Sequence, residues 1–277
     1  MCSLIRGVCL LRRIKNVFIS IIYLMFVQLI FLFPRKQGNI YCTILYYHSI
    51  PDYKKERFIK QLNILNKITT PIKLDYSGPF NNKVKYSIVT FDDAFKSVIT
   101  NAVPELEKLQ IPFTIFIPEG QLGRKPEWLI NTGYHDEHEI VSSIEELLSI
   151  PTEIVIFGSH GVNHNNLTQL NDKDAYIDIK DSKEKLSLKL NQEINYFAFP
   201  HGSYNSKIQK YCYEVRYKKV FSAVPESPLA PLNIYVKGRT SVDPADWEIE
   251  FILKSLGAYG WSAISKSIRQ TLKNIFS

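Results

Sequence analysis

Two groups of aspartate and histidine have the residue types and the spacing of a catalytic metal site. Asp92 and Asp93 are adjacent after an apolar run, and adjacent carboxylates repel each other unless a cation lies beside them. His160 and His164 are four residues apart, so both imidazoles can face one point. One Asp and two His leave a coordination position open for water or substrate, as in catalytic zinc sites, and the second Asp can act as a base. The alternative for the Asp pair is a solvated turn or the N-cap of a helix from Ala94.

Two further histidines occupy equivalent places, directly after apolar runs. His48 follows the run 40–47, and His201 follows the run 196–199 and Pro200. In a parallel α/β architecture the C-terminal ends of the strands open on one face, where loops carry the chemistry. The sequence therefore predicts that four of the six histidines and the Asp pair converge on one site.

The elements that must position these residues alternate between strands and helices. Strands are predicted at Ile40–Tyr47, Lys83–Phe91, Phe113–Ile117, Glu153–Phe157, Tyr196–Phe199, Lys218–Ala223 and Ile234–Lys237. Helices are predicted at Phe58–Ile68, Ala94–Leu109, Asp172–Leu190 and Trp247–Leu256, and a capping box within Ser142–Glu146 predicts a short one. This alternation predicts an α/β fold with a parallel sheet, either open or closed into a barrel.

Three motifs resemble those of the polysaccharide deacetylase family, the NodB-type carbohydrate esterases. Thr90-Phe91-Asp92-Asp93 matches the first motif of that family, Ser159-His160-Gly-Val-Asn-His164 matches the second, and Phe197–Gly202 is similar to the third. The segment Ile44–Ile50 also resembles the branch of extracellular poly-N-acetylglucosamine deacetylases, in which the catalytic His lies near the N-terminus. The likeness covers residues 40–256.

The resemblance implies a distorted (β/α)7 barrel that hydrolyses N-acetyl groups on a hexosamine-containing glycan. It implies a divalent metal, usually zinc, held by Asp93, His160 and His164. It also implies that Asp92 is the general base and that His48 protonates the leaving amine. The backbone N–H of His201 would stabilise the oxyanion.

The sequence departs from the family pattern at several positions. Ala94 stands where Gly is common, His201 stands where Tyr is usual, and Ala198 replaces an Arg that holds the base in many members. Arg239 can reach that carboxylate from another strand, and the alternative for Arg239 is a surface ion pair. Asp243–Trp247 resembles the family's Asp/Trp motif, or forms only a turn and an N-cap.

The net charge of +7 is distributed unevenly along the chain. Residues 1–36 contain six of the 34 basic residues and no acid, which leaves 28 basic and 27 acidic residues in the remainder. A body with a net charge of +1 does not predict a nucleic-acid partner.

The apolar run Val17–Phe33 is interrupted only by Ser20 and Gln28. As a helix it would be roughly 25 Å long, at the short end of what crosses a bilayer. No small-residue cleavage site follows, which favours an uncleaved anchor, and a buried core helix is the alternative. The flanking basic residues predict a single-pass protein of the cell membrane with its catalytic domain on the periplasmic or extracellular side. The predicted organisation is a cytoplasmic basic segment at 1–16, a transmembrane anchor at 17–33 and a deacetylase domain at 40–277.

Other residues carry weaker signals. Cys42 and Cys212 lie among apolar neighbours and are predicted to be small buried hydrophobic residues. His135 and His138 are interpreted as part of a solvated loop, with a second metal site as the alternative, and the loop 118–140 is expected to shape the cleft. The segment Trp261–Ser277 has a helical apolar pattern and either packs on the barrel or lies against the membrane.

These observations predict a membrane-anchored, zinc-dependent N-deacetylase with an N-acetylated glycan as its substrate. Two alternatives stay open. One is a non-catalytic glycan-binding protein that kept the barrel, which the replacements at Ala198 and His201 motivate. The other is an O-acetyl esterase, because an alkoxide leaves more easily than an amine anion.

Overall fold

A parallel sheet forms the centre of the protein in a computed structural model, which describes residues 2–31, 40–130 and 132–265. The end of the predicted anchor and residues 266–277 of the C-terminal segment lie outside these described residues. The strands are β1 (Tyr41–Tyr47), β2 (Thr70–Pro71), β3 (Lys85–Phe91), β4 (Phe113–Ile117), β5 (Val155–Ser159), β6 (Tyr196–Ala198), β7 (Lys219–Phe221), β8 (Val236–Lys237) and β9 (Thr240–Ser241). All seven predicted strands are confirmed, and β2 and β9 are additional pairs of residues too short to leave a periodic signal.

The helices are α1 (Cys2–Phe31), α2 (Lys55–Ile68), α3 (Val103–Lys108), α4 (Ile144–Leu148), α5 (Asp172–Leu190), α6 (Ser206–Glu214) and α7 (Glu248–Ser255). The predicted bounds of α5 and the capping box at Ser143 are confirmed. The helix predicted from Ala94 is wrong at its start, because Asp93 and Ala94 have left-handed φ angles of 68° and 52°. Before α3 the chain makes a π-helical turn over Val98–Ala102, just ahead of Pro104, which has no N–H for a helical hydrogen bond.

The sheet closes through one bent stretch of chain. Its strands pair in parallel in the order β8-β7-β6-β5-β4-β3-β1-β9, with β2 beside β3. Only Gly238 and Arg239 separate β8 from β9, yet β8 pairs with β7 at one edge and β9 pairs with β1 at the other. A Cβ atom on Gly238 would lie 2.3 Å from the carbonyl oxygen of Val224, so only glycine fits this bend. Residues 236–241, the closing strand, contain both β8 and β9 and so fill one position between β7 and β1. With β2 set beside β3, the sheet has seven strand positions, which confirms the (β/α)7 barrel.

Alternating side chains divide the core into two layers. Along β1, Leu45 and Tyr47 join the large cluster between the sheet and the helices, whereas Cys42 and Ile44 join the cluster inside the barrel. Cys42 and Cys212 are both buried and free, as predicted. The barrel is therefore a packed scaffold whose strands end at one common face.

The helix α1 packs against α7 and the turn Ala258–Gly260. Within it, Leu10–Phe31 is long and apolar enough to cross a membrane, and among the described residues it is the one such stretch. Length and composition alone do not distinguish a membrane anchor from a signal sequence.

Candidate metal centre and active site

The polar residues that follow the strands meet at the C-terminal end of the barrel. They line a cavity of about 290 Å³. Its walls are formed by Tyr46, His48, Asp92, Asp93, Trp128, Leu129, Tyr134, Asp136, His160, His164, Phe199, His201, Gly202 and Ala223. The cavity thus brings together the Asp pair and all four histidines that the sequence places after strands.

The backbone around this cavity is strained at several residues that carry its side chains. Asp93, Ala94, His164 and His201 all have left-handed φ angles, between 52° and 68°. This conformation costs a non-glycine residue about 1–2 kcal/mol. Such strain persists only where the surroundings impose it, and it is common at functional sites.

Asp93, His160 and His164 form a compact group of possible metal ligands. Asp93 Oδ1 lies 3.3 Å from His164 Nε2 and 3.7 Å from His160 Nε2. One donor atom from each of the three residues lies within 4.8 Å of the other two. Although it is buried, Asp93 Oδ1 has no hydrogen-bond partner among the described residues. Buried polar atoms are normally satisfied, so this oxygen is placed as a metal ligand would be.

The histidines of this group are prepared to donate lone pairs. His160 Nδ1 donates to the carbonyl oxygen of Ala198 at 2.7 Å, which leaves Nε2 as the unprotonated nitrogen that faces Asp93. Burial lowers the pKa of His160 to about 4 and lowers the pKa of His164 well below its ordinary value. Both rings are therefore neutral at pH 7, as metal ligands must be.

The environment of the Asp93 carboxylate favours a neighbouring cation. Burial and, to a smaller extent, the charge of Asp92 raise the pKa of Asp93 well above its ordinary value. A divalent cation between Asp93 and the two histidines would reverse this effect by favouring the ionised form. The residues present therefore fit a metal ion.

Arg239 holds Asp92 through two parallel hydrogen bonds. Nη1 donates to Asp92 Oδ1 at 2.7 Å, and Nη2 donates to Oδ2 at 2.8 Å. Burial raises the pKa of Asp92, but the charge and hydrogen bonds of Arg239 outweigh it and the net pKa is lowered. Arg239 itself is 1% exposed, with its guanidinium between the rings of Tyr46 and Phe116. The alternative of a surface ion pair is therefore wrong, and Asp92 is a fixed, ionised carboxylate.

His48 lines the same cavity as the metal-ligand group and is partly buried. Burial lowers its pKa, while the charges of Asp92 and Asp136 offset part of that effect. Asp136 is 2% exposed and accepts a hydrogen bond from the Ser49 hydroxyl. His135 Nε2 lies 3.0 Å from Asp136 Oδ1, which helps to hold this carboxylate in the cavity wall.

The segment 134–138 is only partly the solvated loop expected from the sequence. The side chain of His138 is 83% exposed, whereas Asp136 and Tyr134 line the cavity. Within the described residues, neither His135 nor His138 belongs to a group that could hold a metal. Hydrophobic periodicity could not identify Asp136, since its burial depends on where this irregular loop crosses the barrel.

Two further residues that the sequence did not single out support His164. The Trp128 ring stacks on the His164 ring with centroids 4.3 Å apart. Asp178 on α5 accepts a hydrogen bond from the Val162 N–H at 2.9 Å and so fixes the loop between the two histidines. Trp128 lines the cavity together with Tyr134 and Asp136, and all three belong to the loop 118–140. The expectation that this loop shapes the cleft is thus confirmed.

His201 lies at a tight turn after β6. Its φ is 56°, and its ring meets His164 edge-on at 4.5 Å. The next residue, Gly202, also has a positive φ, and a Cβ atom there would lie 2.4 Å from Ala223 Cβ. The segment 243–246 forms the predicted turn, since Asp246 accepts a hydrogen bond from the Asp243 N–H at 3.0 Å. The predicted N-cap is wrong, because Trp247 precedes α7 without a side-chain cap.

A parallel α/β barrel that gathers carboxylates and histidines at the C-terminal ends of its strands has them where barrel enzymes carry their active sites. Residues 81–220 match the sequence profile of the polysaccharide deacetylases. The match covers half of the chain, and the protein belongs to this family, whose members remove acetyl groups from glycans.

Solved structures show the same fold. IcaB from Ammonifex degensii is similar with a TM-score of 0.65 and 23% identity, over 79% of this chain and 98% of IcaB. The Streptococcus pyogenes deacetylase PplD, solved in complex with acetate, has a TM-score of 0.61 and 21% identity, over 79% of this chain and 99% of PplD.

A relative is also found by sequence. YxkH of Bacillus subtilis (strain 168), named provisionally as a polysaccharide deacetylase, is 22% identical over 160 residues. The match covers 58% of this chain. The chain spans about half (52%) of the length of that relative.

Proposed function

We propose that the protein is a metal-dependent N-deacetylase that hydrolyses acetamido groups on hexosamine residues of a glycan. The observation that carries this proposal is the arrangement of an orphaned Asp93 and two neutral histidines beside an Asp92 that Arg239 keeps ionised. We propose Asp93, His160 and His164 as the metal ligands. Zinc is the proposed metal, because the two imidazoles and one carboxylate are a donor set that suits it.

When bound, the metal would polarise the acetyl carbonyl and lower the pKa of a water molecule to near 7. Asp92 accepts a proton from the attacking water as the water oxygen bonds to the carbonyl carbon, and Arg239 holds the Asp92 carboxylate in place. The backbone N–H of His201 donates a hydrogen bond to the acetyl oxygen as negative charge develops there. One such donor contributes roughly 3 kcal/mol in enzymes where it has been removed.

His48 completes the reaction at the leaving group. The C–N bond breaks as the His48 imidazolium donates a proton to the amine nitrogen, and acetate and a free amine are released. An amine anion is too basic to leave unaided, so this acid is needed for an amide. An ester would depend less on His48, which separates N-deacetylation from O-deacetylation.

Membrane association through α1 is part of this proposal, with an N-acetylated cell-envelope or extracellular polysaccharide as the substrate. The bounds 1–16, 17–33 and 40–277, the single-pass topology and the position outside the cytoplasm stay predictions from charge and hydropathy.

The test is acetate release from N-acetylglucosamine oligomers by the full chain, purified in detergent and supplied with zinc. We expect Asp92→Asn to reduce the rate by about 100-fold or more while metal content stays unchanged. The matched control is Asp181→Asn on the exposed face of α5, which should retain full activity. Activity of Asp92→Asn equal to that of the wild type would refute the base assignment.

The same assay separates the two alternatives. A chain that binds zinc stoichiometrically but releases no acetate from amides or esters would be a glycan-binding protein on this fold. If His48→Ala lost amide hydrolysis but kept ester hydrolysis near the wild-type rate, O-deacetylation would be the better assignment.

A further inference from the structure

The two faces of α1 differ sharply in polarity. The polar residues of its apolar stretch face the domain: Ser20 is fully buried and accepts from Trp261 Nε1 at 2.9 Å, and Gln28 donates to the Tyr41 hydroxyl at 3.2 Å. Arg13 donates to Glu250 on α7, and its guanidinium lies 4.4 Å from the centre of the Trp247 ring. This inner face is thus docked by specific polar contacts at both ends of the helix.

The outer face of α1 is apolar throughout and open to solvent. Its side chains are 39–68% exposed. They are Leu10, Leu11, Ile14, Phe18, Ile21, Ile22, Met25, Phe26, Leu29 and Ile30. At the helical rise this outer face is roughly 30 Å long. Monomeric soluble proteins rarely expose so continuous an apolar surface, which marks an interaction site.

The docked position of α1 is incompatible with crossing a bilayer. The helix runs alongside α7, from Arg13 beside Trp247 to Gln28 beside Tyr41. If α1 crossed the hydrocarbon in this position, α7 would enter the hydrocarbon with it. Glu250 and Lys254 on α7, and Asp246 as the ion-pair partner of Lys254, would then lie in the membrane. Buried charges at that depth are costly, so a docked α1 can present only its outer face to lipid.

Two features favour a lipid bilayer as the occupant of the outer face. An apolar groove of about 410 Å³ opens between α1 and α7, lined by Ile21, Leu24, Met25, Gln28, Leu29 and Leu253, and its apolar lining suits an acyl chain. Exposed Arg12 and Lys15 flank the outer face at its N-terminal end, where they can meet lipid phosphates. The sequence of α1 contains no acid, so two copies of this face have no charge complementarity.

We propose that α1 binds the membrane in its plane, with the outer face in the headgroup and acyl boundary and the inner face docked on α7. The N-terminal end of α1 and the deacetylase domain then lie on the same side of the membrane. The predicted single-pass anchor places them on opposite sides, so the two arrangements are distinguishable.

The first experiment measures the topology of the full chain in sealed bacterial membranes. Arg12→Cys is introduced with Cys2 and Cys9 replaced by serine, since Cys42 and Cys212 are buried. The matched reporter on the domain is Lys210→Cys, at a side chain that is 72% exposed. We expect a membrane-impermeant maleimide to label both reporters from the same side. Labelling from opposite sides would overturn the proposal and establish a crossing anchor.

The second experiment measures binding of the purified chain to vesicles of equal parts phosphatidylcholine and phosphatidylglycerol. The double variant Phe18→Asp, Phe26→Asp should bind at least about tenfold more weakly, because two charges replace buried apolar surface. The control Leu188→Asp, at a residue 81% exposed on α5, should bind like the wild type. An unchanged far-UV circular dichroism spectrum of the double variant would show that it is folded.

A second copy of the chain is the competing occupant. If the double variant converted a stable dimer into monomers and kept its affinity for vesicles, the outer face would be a dimer interface and the proposal would be wrong. Neither experiment measures deacetylation, so the outcome does not depend on the proposed function.

Discussion

The two ends of the barrel use the same kinds of unusual residue for different purposes. At the far end, opposite the cavity, left-handed φ angles of 49–65° occur at Gln110, Asn191 and Arg216, within two residues of the ends of α3, α5 and α6. This is ordinary helix termination. At the site end the left-handed residues are instead Asp93, Ala94, His164 and His201, which include two proposed metal ligands. Similar backbone geometry therefore ends helices at one face and aims functional side chains at the other.

The buried cations show the same contrast. Lys237 and Arg239 are two residues apart on the closing strand, and both are at most 2% exposed. Lys237 pairs with Glu226 and donates to the carbonyl oxygen of Pro231 at 3.1 Å, whereas Arg239 grips Asp92 in the cavity. Glu226 is 25% exposed and can be solvated without its partner, but Asp92 is 5% exposed and cannot. Removing the two cations should therefore have unequal effects.

The largest expected effect comes from the metal-ligand group. Asp93→Ala should remove bound zinc and reduce acetate release by about 1000-fold or more, because the metal supplies several kcal/mol of transition-state stabilisation. The far-end control Glu193→Gln, at a side chain that is 66% exposed just before β6, should retain both metal and activity. Metal analysis and acetate release on the same samples check this, and a fully active Asp93→Ala would remove the functional distinction between the two ends.

The next effect compares the two cations directly. Arg239→Met should lower the free energy of unfolding by about 3–5 kcal/mol, because it leaves the Asp92 carboxylate buried and unpaired. Lys237→Met should change it by only about 1 kcal/mol, since water can reach Glu226. Denaturant unfolding in detergent measures both values. Equal losses would show that Lys237 is as important to its end of the barrel as Arg239 is to the site.

A smaller effect concerns the pH dependence of the reaction. His48 acts as an acid only when protonated, so activity falls as pH rises through its pKa. Burial lowers that pKa and the Asp136 charge raises it, so Asp136→Asn should lower the pKa further and shift the alkaline limb of the pH–rate profile to lower pH. Asp243→Asn is the control, because Asp243 belongs to the same polar network through Lys54 and His135 but is not among the charges that shift the pKa of His48. An unchanged alkaline limb in Asp136→Asn would show that Asp136 does not act on His48.

The smallest effect tests the backbone strain. Ala94→Gly should raise the free energy of unfolding by up to about 1 kcal/mol, because glycine adopts the left-handed region freely but loses more entropy on folding. Gln110→Gly at the far end should give a similar gain. Both variants should release acetate at the wild-type rate, since glycine is common at position 94 in the family. A loss of activity in Ala94→Gly alone would argue that strain at the site end has a functional role.

Local patterns predicted most of the scaffold and much of the site. Apolar runs of the right length located all seven predicted strands, and the parallel architecture then implied that His48, Asp92 and His160 share one face. The sequence did not predict the left-handed backbone at Asp93 and Ala94, because a carboxylate before an apolar helical pattern looks like the N-cap of a helix. Asp136 and Trp128 were missed because they lie on an irregular loop with no periodic signal.

By itself, the sequence determined the elements, the family motifs and which residue types stand at the strand ends, because these depend on local periodicity and on chemistry carried in short segments. Only the tertiary structure decided that Arg239 grips Asp92, 147 positions away, and that α1 docks its polar face on α7. Both outcomes depend on long-range packing: Arg239 reaches Asp92 because the closing strand bends at Gly238, and the face of α1 that meets the domain is defined only once α7 is in place.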